Sequence, residues 1–210
     1  MIKIESLINL LKKNNINFFT GVPDSILKDL SIYLEPKNKK QHIIATNEGA
    51  AVSIGIGHYL STKKIPCIYM QNSGLSNALN PLISIAHEKV YSIPLILVIG
   101  WRGSPRIKDE PQHNVKGKIT LDILKLLNIK YTIIRKNSDL IKFNKQIKNA
   151  KKNKTTVACL IEQGTFEGNK KIEIKKYFYN LDKELFLKTL LETVKKKTKI
   201  ISSTGYNSRE

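Results

Sequence analysis

Six short segments of this chain read as buried strands with predominantly apolar rather than alternating residues: INFFTGV (16–22), HIIAT (42–46), IPCIYMQ (65–71), IPLILVIG (93–100), IKYTIIR (129–135) and TVACLIEQ (156–163). A strand with one wet face alternates polar and apolar residues; a strand apolar throughout is covered on both faces. Segments of helical length separate these runs, so the chain is built from strand–helix–strand crossovers. The expectation is an α/β fold, an open parallel sheet with helices on both faces and right-handed connections.

The helical segments can be placed in turn. Leu7, Leu10 and Leu11 have helical spacing within residues 1–15. A second helix is expected over PDSILKDLSIYL, since Pro23 suits a first turn and Asp24 and Ser25 are capping types. EGAAVSIGIGHYLST (48–62) and LSNALNPLISIAHE (75–88) follow. A long polar loop, 101–117, leads to a helix over ITLDILKLLN, and SDLIKFNKQIKNAKKN is the next. The domain is expected to end near residue 165. Residues 166–196 read as a basic linker with one amphipathic helix, and 197–210 as a strand entering a glycine turn, the start of a truncated further domain.

Composition narrows the function. Cys67 and Cys159 sit in strand-like runs without CxxC or histidine spacing, which favours a buried reduced pair over a disulfide or metal site and suits a reducing cytoplasm. The longest apolar run, IPLILVIG, is far shorter than the roughly 20 residues that span a bilayer, so no membrane partner is expected. Lys and Arg number 36 against 17 acids, a formal charge of +19, which on its face suggests nucleic acid. The lysines crowd into 136–154 and 170–199 beside Asn and Ile, a pattern of solvated helix faces, so nucleic acid is not the expected partner. A positive field remains suited to a small anionic substrate.

In an open parallel sheet, ligands collect at the carboxyl ends of the strands. GVPDS, TNEG, QNSG and GWRGSPRIKDEPQH all fall there. Taken singly each has an ordinary reading. Glu48 is an acid in the first turn of a helix, favoured by the helix dipole; His113 is a loop histidine; Arg102 and Arg106 are solvated; GIG (55–57) is not GxGxxG and follows no strand.

Taken together and in order, FFTGVPDS, TNEGAAVSIGIGHYL, YMQNSGLSNALNPL, YSIPLILVIGWRG and KDEPQH resemble the pyrimidine-binding domain of the thiamine diphosphate-dependent decarboxylases. The group most similar acts on 3-phosphonopyruvate, with the sulfopyruvate decarboxylases next. The resemblance implies that Glu48 hydrogen-bonds N1′ of the cofactor's aminopyrimidine and helps to activate the thiazolium C2, that Gly49 leaves room for the ring, and that Gln71, Asn72, Ser73 and Gly74 line the cofactor pocket. It implies His113 for proton transfer, Asp24 and Ser25 at the substrate border, and Arg102, Arg106 and Lys108 for an anionic tail. The implied reaction converts 3-phosphonopyruvate to phosphonoacetaldehyde and CO2, on the way to 2-aminoethylphosphonate. The family's diphosphate half carries Gly-Asp-Gly and a later Asn to hold Mg2+, and no Asp here follows a Gly. A diphosphate-binding domain or subunit is therefore the expected partner, in a homo- or hetero-oligomer. The alternatives are an alpha subunit of sulfopyruvate decarboxylase and a non-catalytic remnant or interaction domain.

Overall fold

The structure, a computed structural model, describes residues 1–168, 182–195 and 197–201. Six strands form one sheet: Phe19–Gly21 (β1), His42–Ile44 (β2), Cys67–Gln71 (β3), Ile96–Gly100 (β4), Lys130–Ile134 (β5) and Val157–Ile161 (β6). Every pairing is parallel, in the order β2-β1-β3-β4-β6-β5. In register, Tyr69 faces Val98 and Val98 faces Cys159.

Side-chain alternation along the strands feeds two separate cores. Cys67, Tyr69, Ile96, Val98, Cys159 and Ile161 turn to one face. There they meet helices Ile4–Lys13 (α1), Lys28–Leu34 (α2) and Asn137–Asn153 (α6), through residues such as Leu7, Leu30 and Phe143. Ile68, Met70, Leu97, Ile99 and Leu160 turn to the other. That face is covered by Glu48–Thr62 (α3), Leu75–Pro81 (α4) and Pro111–Leu126 (α5), through Val52, Ala78 and Leu124. Both faces of the central strands β3, β4 and β6 are dry, whereas the edge strands are not: β2 has no buried residue, with Ile44 exposed, and β5 is buried only in part. Cys67 and Cys159 are free and fully buried, and burial pushes both thiols up.

Three local departures from the sequence expectation matter. The second helix begins at Lys28 rather than at Pro23. Asp24 is buried, and its carboxylate accepts from the Ile26 amide (3.0 Å) and from the Gln71 side chain (2.7 Å), so the residues before α2 form a turn and not a cap. The fourth helix stops at Pro81, which has no amide to donate, and residues 82–86 continue as a wider π-type turn. The polar loop after β4 ends at Glu110, and α5 starts with Pro111 in its first turn. His113 therefore lies on a helix.

Tertiary contact explains that early start. Trp101 is buried, and its indole nitrogen donates to the Gly117 carbonyl at 2.9 Å. Gly103, with φ of +67°, lies backbone to backbone against Gly117, so that a Cβ at position 117 would fall inside the Gly103 carbonyl.

Residues 1–169 form one compact unit and the chain from 170 a second. In the latter, Lys183–Thr193 (α7) is the expected helix, capped by Asp182, whose carboxylate accepts from the Leu185 amide. Residues 169–181 and 196 of the expected linker and 202–210 of the expected strand and turn lie outside the described residues. Among the described residues, no helix is long and apolar enough to cross a membrane, and no group of three or more His, Cys, Asp or Glu side chains is arranged to hold a metal ion.

Two glycine substitutions test this packing. Gly117→Ala should destabilise the chain by about 1–3 kcal/mol, because two backbones must separate. Gly57→Ala, on α3 with nothing within 4 Å of the added methyl, should stabilise it by about 0.5–1 kcal/mol through the ordinary helical preference for alanine. Urea midpoints of the two variants read both effects, and equal shifts would contradict the contact.

Candidate functional site

The four loops singled out in the sequence follow β1, β2, β3 and β4, and these strands are consecutive neighbours in the sheet, in the order β2-β1-β3-β4. All strands run the same way, so the loops leave from one rim. The chain proceeds outward from β1 to β2 on one side and from β3 to β4 on the other. The crevice between β1 and β3 is thus the topological switch point, where ligands bind in open α/β sheets.

Glu48 is the first residue of α3, and the helix is capped by Asn47, whose side chain accepts from the Ala50 amide at 2.8 Å. Its flanks do not enclose it: Ala45 and Ala51 are buried, while Glu48 is half-buried. Glu48 Oε2 accepts from Asn77 Nδ2 of α4 at 2.8 Å. The backbone of Gly74 lies against the carboxyl group, where any side chain at position 74 would overlap it. Oε1 accepts no hydrogen bond among the described residues. One oxygen is thereby fixed and the other left available. Gly49 sits beneath the Asn77 carbonyl, 2.7 Å from where a Cβ would stand, so α3 and α4 approach closely at this end.

Beside it, a polar chain crosses the crevice. Gln71 Nε2 donates to Asp24 Oδ1 and Gln71 Oε1 accepts from Ser73 Oγ, each at 2.7 Å. Asn72 is buried and its amide is fully engaged: Nδ2 donates to the Arg102 carbonyl (2.9 Å) and to Thr120 Oγ1 (2.9 Å), and Oδ1 accepts from the Arg102 amide (3.0 Å). Its side chain ties the β3 loop to the β4 loop and to α5.

The Arg102 guanidinium pairs with Asp109 through two parallel hydrogen bonds, Nε to Oδ2 at 2.7 Å and Nη2 to Oδ1 at 2.5 Å. Asp109 also accepts from the Gly103 and Glu110 amides, both at 2.8 Å. The Arg102 hydrogen bonds, with those amides, hold its carboxyl well below the usual carboxylate range. Arg102 Nη1 lies 3.4 Å from Ser25 Oγ, which reaches over from the β1 loop.

A second buried carboxylate stands at the ends of β5 and β6. Glu162 accepts from Arg135 Nε (2.7 Å) and Nη2 (3.1 Å) and from Ser104 Oγ (2.5 Å). Burial by itself would raise this carboxyl, but the hydrogen bonds from Arg135 and Ser104, with the charges of Arg135 and Arg106, hold it below the usual range. Through Ser104 it anchors the loop that carries Arg106 and Lys108, both of which are exposed.

The structure thus gathers the singled-out residues into two hydrogen-bonded groups that adjoin along the chain, Asp24 with Gln71 and Ser73, and Asn72 with Arg102 and Ser25, and sets Glu48 of α3 against Gly74, just before α4. His113 is half-buried in the first turn of α5, and no hydrogen bond links its ring, Arg106 or Lys108 to either group among the described residues. Sequence reading missed Asn77, Asp109, Thr120 and the Glu162–Arg135–Ser104 cluster. Asp109 lies inside the KDEPQH motif, beside the residues singled out there. Its partner is seven residues away, and the partner of Glu162 is 27 residues away, pairings that no spacing rule reveals.

The fold is thus an open α/β domain whose four polar loops share one rim at the topological switch point. The chain belongs to the thiamine pyrophosphate enzymes: residues 4–126 match the family model described as thiamine pyrophosphate enzyme, N-terminal TPP binding domain. It is 34% identical over 139 residues to a phosphonopyruvate decarboxylase of Streptomyces viridochromogenes, covering 66% of this chain and 34% of that protein. It is 33% identical over 127 residues to sulfopyruvate decarboxylase subunit alpha of Methanococcus maripaludis, covering 60% of this chain and 74% of that one. The chain spans about a third of the length of the phosphonopyruvate decarboxylases it matches. The fold is shared with benzoylformate decarboxylase from Polynucleobacter necessarius, with a TM-score of 0.60 at 17% identity over 85% of this chain and 33% of that one.

Both paired carboxylates, Asp109 and Glu162, have folded-state values below those of an unfolded chain. Their stabilisation is fully present above the unfolded carboxylate pKa of about 4 and is lost as the pH falls through it toward the folded values. Urea midpoints measured from pH 6 down to pH 3 should fall, and Glu162→Gln should flatten part of that fall while lowering stability at pH 7. An unchanged pH slope in the variant would show that the Arg135 pair contributes nothing.

Proposed function

We propose that this chain supplies the pyrimidine-binding half of a thiamine diphosphate-dependent 2-keto acid decarboxylase acting on 3-phosphonopyruvate, with phosphonoacetaldehyde and CO2 as products. The observation that carries the reading is the state of Glu48: one carboxylate oxygen held by Asn77, the other available, with the Gly74 backbone pressed alongside at the rim. These residues fit the aminopyrimidine portion of the cofactor, which needs a carboxyl group to share a proton with a ring nitrogen. When bound, the cofactor supplies the electron sink that a 2-keto acid requires in order to lose CO2. Glu48 would hold the proton at N1′, and Gly49, Gln71, Asn72, Ser73 and Gly74 would form the wall against the ring. His113 would move a proton at the reacting carbon, Asp24 and Ser25 would border the substrate, and Arg102, Arg106 and Lys108 would receive its anionic tail, guanidinium groups being matched to a phosphonate fork.

The diphosphate and Mg2+ would be held by a diphosphate-binding domain or subunit, in an oligomer that completes the site. Free, buried cysteines suit a cytoplasmic setting. A second reading, the alpha subunit of a sulfopyruvate decarboxylase, is favoured by one observation: the chain covers 74% of such a subunit, which supports a two-chain arrangement. The two substrates share a keto acid and an anionic tail, and competition kinetics between them separates the readings.

Glu48→Gln in the chain joined by its diphosphate-binding half is the direct test. Gln keeps the size and a hydrogen bond but cannot exchange the N1′ proton. Thiamine diphosphate affinity should hold while kcat falls by about 10²–10⁴-fold, the usual contribution of general acid–base catalysis. Near-normal turnover would leave Glu48 as an ordinary helix-end acid and overturn the assignment. The chain without that half should release no CO2 from 3-phosphonopyruvate in the presence of thiamine diphosphate and Mg2+.

A further inference from the structure

Of the three cations at the rim, only Arg102 is held in place. Its backbone is gripped on both sides by the buried Asn72 amide. Its side chain is gripped along one edge by Asp109, which is itself fixed by the Gly103 and Glu110 amides. Arg106 and Lys108 are exposed. An arginine free in solvent gives up rotamer freedom when it binds an anion, whereas one already immobilised by the protein has given it up on folding. The Asp109 grip uses Nε and one N–H of Nη2. It leaves Nη1 facing the exposed Ser25 Oγ, 3.4 Å away, where the β4 loop meets the β1 loop.

We propose that Arg102 Nη1 and the Ser25 hydroxyl form the donor pair that seats the tetrahedral anionic tail of the substrate, and that Asp109 is the positioning residue that aims Arg102 at it. The inference rests on the decarboxylase reading above and adds to it which cation anchors the tail and what orients that cation. Asp109 works by geometry more than by charge. By compensating Arg102 it makes the contact depend on directed hydrogen bonds, which distinguish a tetrahedral oxyanion from other anions; Arg106 and Lys108 contribute the general positive field.

The test uses the 210-residue chain and methylphosphonate, so it does not depend on turnover. In 15N-labelled protein, the Arg102 Nε–H signal should be protected from rapid exchange and should shift on titration with methylphosphonate. Asp109→Asn keeps the size and an acceptor for one of the two backbone amides while losing the two-point charged grip. It should remove that protection and weaken methylphosphonate binding by about tenfold, as expected for the loss of a charge-assisted bond. Ser25→Ala leaves the Arg102–Asp109 pair intact, so it should keep the Nε–H protection yet weaken methylphosphonate severalfold. Backbone amide spectra establish that both variants remain folded. The inference is overturned if methylphosphonate leaves the Arg102 signal unmoved, or if either variant binds it as tightly as the parent chain; either result would make the Arg102–Asp109 pair a structural tie. Failure of the decarboxylase reading would show separately, as a completed enzyme that turns over no 3-phosphonopyruvate while methylphosphonate still binds.

Discussion

The rim is held together by one buried amide. Asn72 stands just past the end of β3, and its side chain reaches the backbone of Arg102 beyond β4 and the hydroxyl of Thr120 within α5. A buried amide left without partners would cost about 1–3 kcal/mol for each lost bond, so the three elements are compelled to meet at the one place where all of its bonds are made. The consequences spread outward. Fixing Arg102 brings Trp101 and Gly103 against α5, and the contact between Gly103 and Gly117 then sets where that helix begins.

Charge at the rim is arranged in compensated pairs. The chain carries a formal charge of +19, yet two carboxylates near the rim are each held by an arginine, Asp109 by Arg102 and Glu162 by Arg135, while buried Asp24 is held by the Gln71 amide and the Ile26 backbone. Both carboxylates also bind elements of the β4 loop, Asp109 through the Gly103 and Glu110 amides and Glu162 through Ser104. The loop is pinned near both ends, and the exposed Arg106 and Lys108 lie between the pins. Half-buried Glu48 has no cation among the described residues; its neighbours are the Asn77 amide and the Gly74 backbone. Unlike Asp109 and Glu162, Glu48 makes no ion pair among the described residues.

Much of this was legible in the residues. Predominantly apolar strands imply that both faces are covered, so a parallel sheet with helices on each side followed from sequence, and so did the gathering of GVPDS, TNEG, QNSG and the WRG loop at one rim. The start of α3 at Glu48 was equally readable, as an acid in the first turn of the helix over 48–62; the Asn47 cap that fixes it came from the structure. The start of α5 was not. Pro111 suits a first turn, but residues 112 to 116, polar except for Val115, show no apolar period, and the Trp101 and Gly103 contacts from outside the helix hold that turn in place.

The sequence by itself determined the layers, the order of loops along the rim and the position of Glu48 on a helix start, because these rest on periodicity, capping and burial, which act over a few residues. Tertiary structure alone decided which side chains the fold consumes and which it leaves free. Asp24, read as a helix cap, became the acceptor for Gln71; Asn72 was spent on Arg102 and Thr120; Asp109 and Glu162 emerged as the partners of arginines. A hydrogen bond is settled by distance and direction within about an ångström, and only the packed sheet brings residues from separate strands and helices that close.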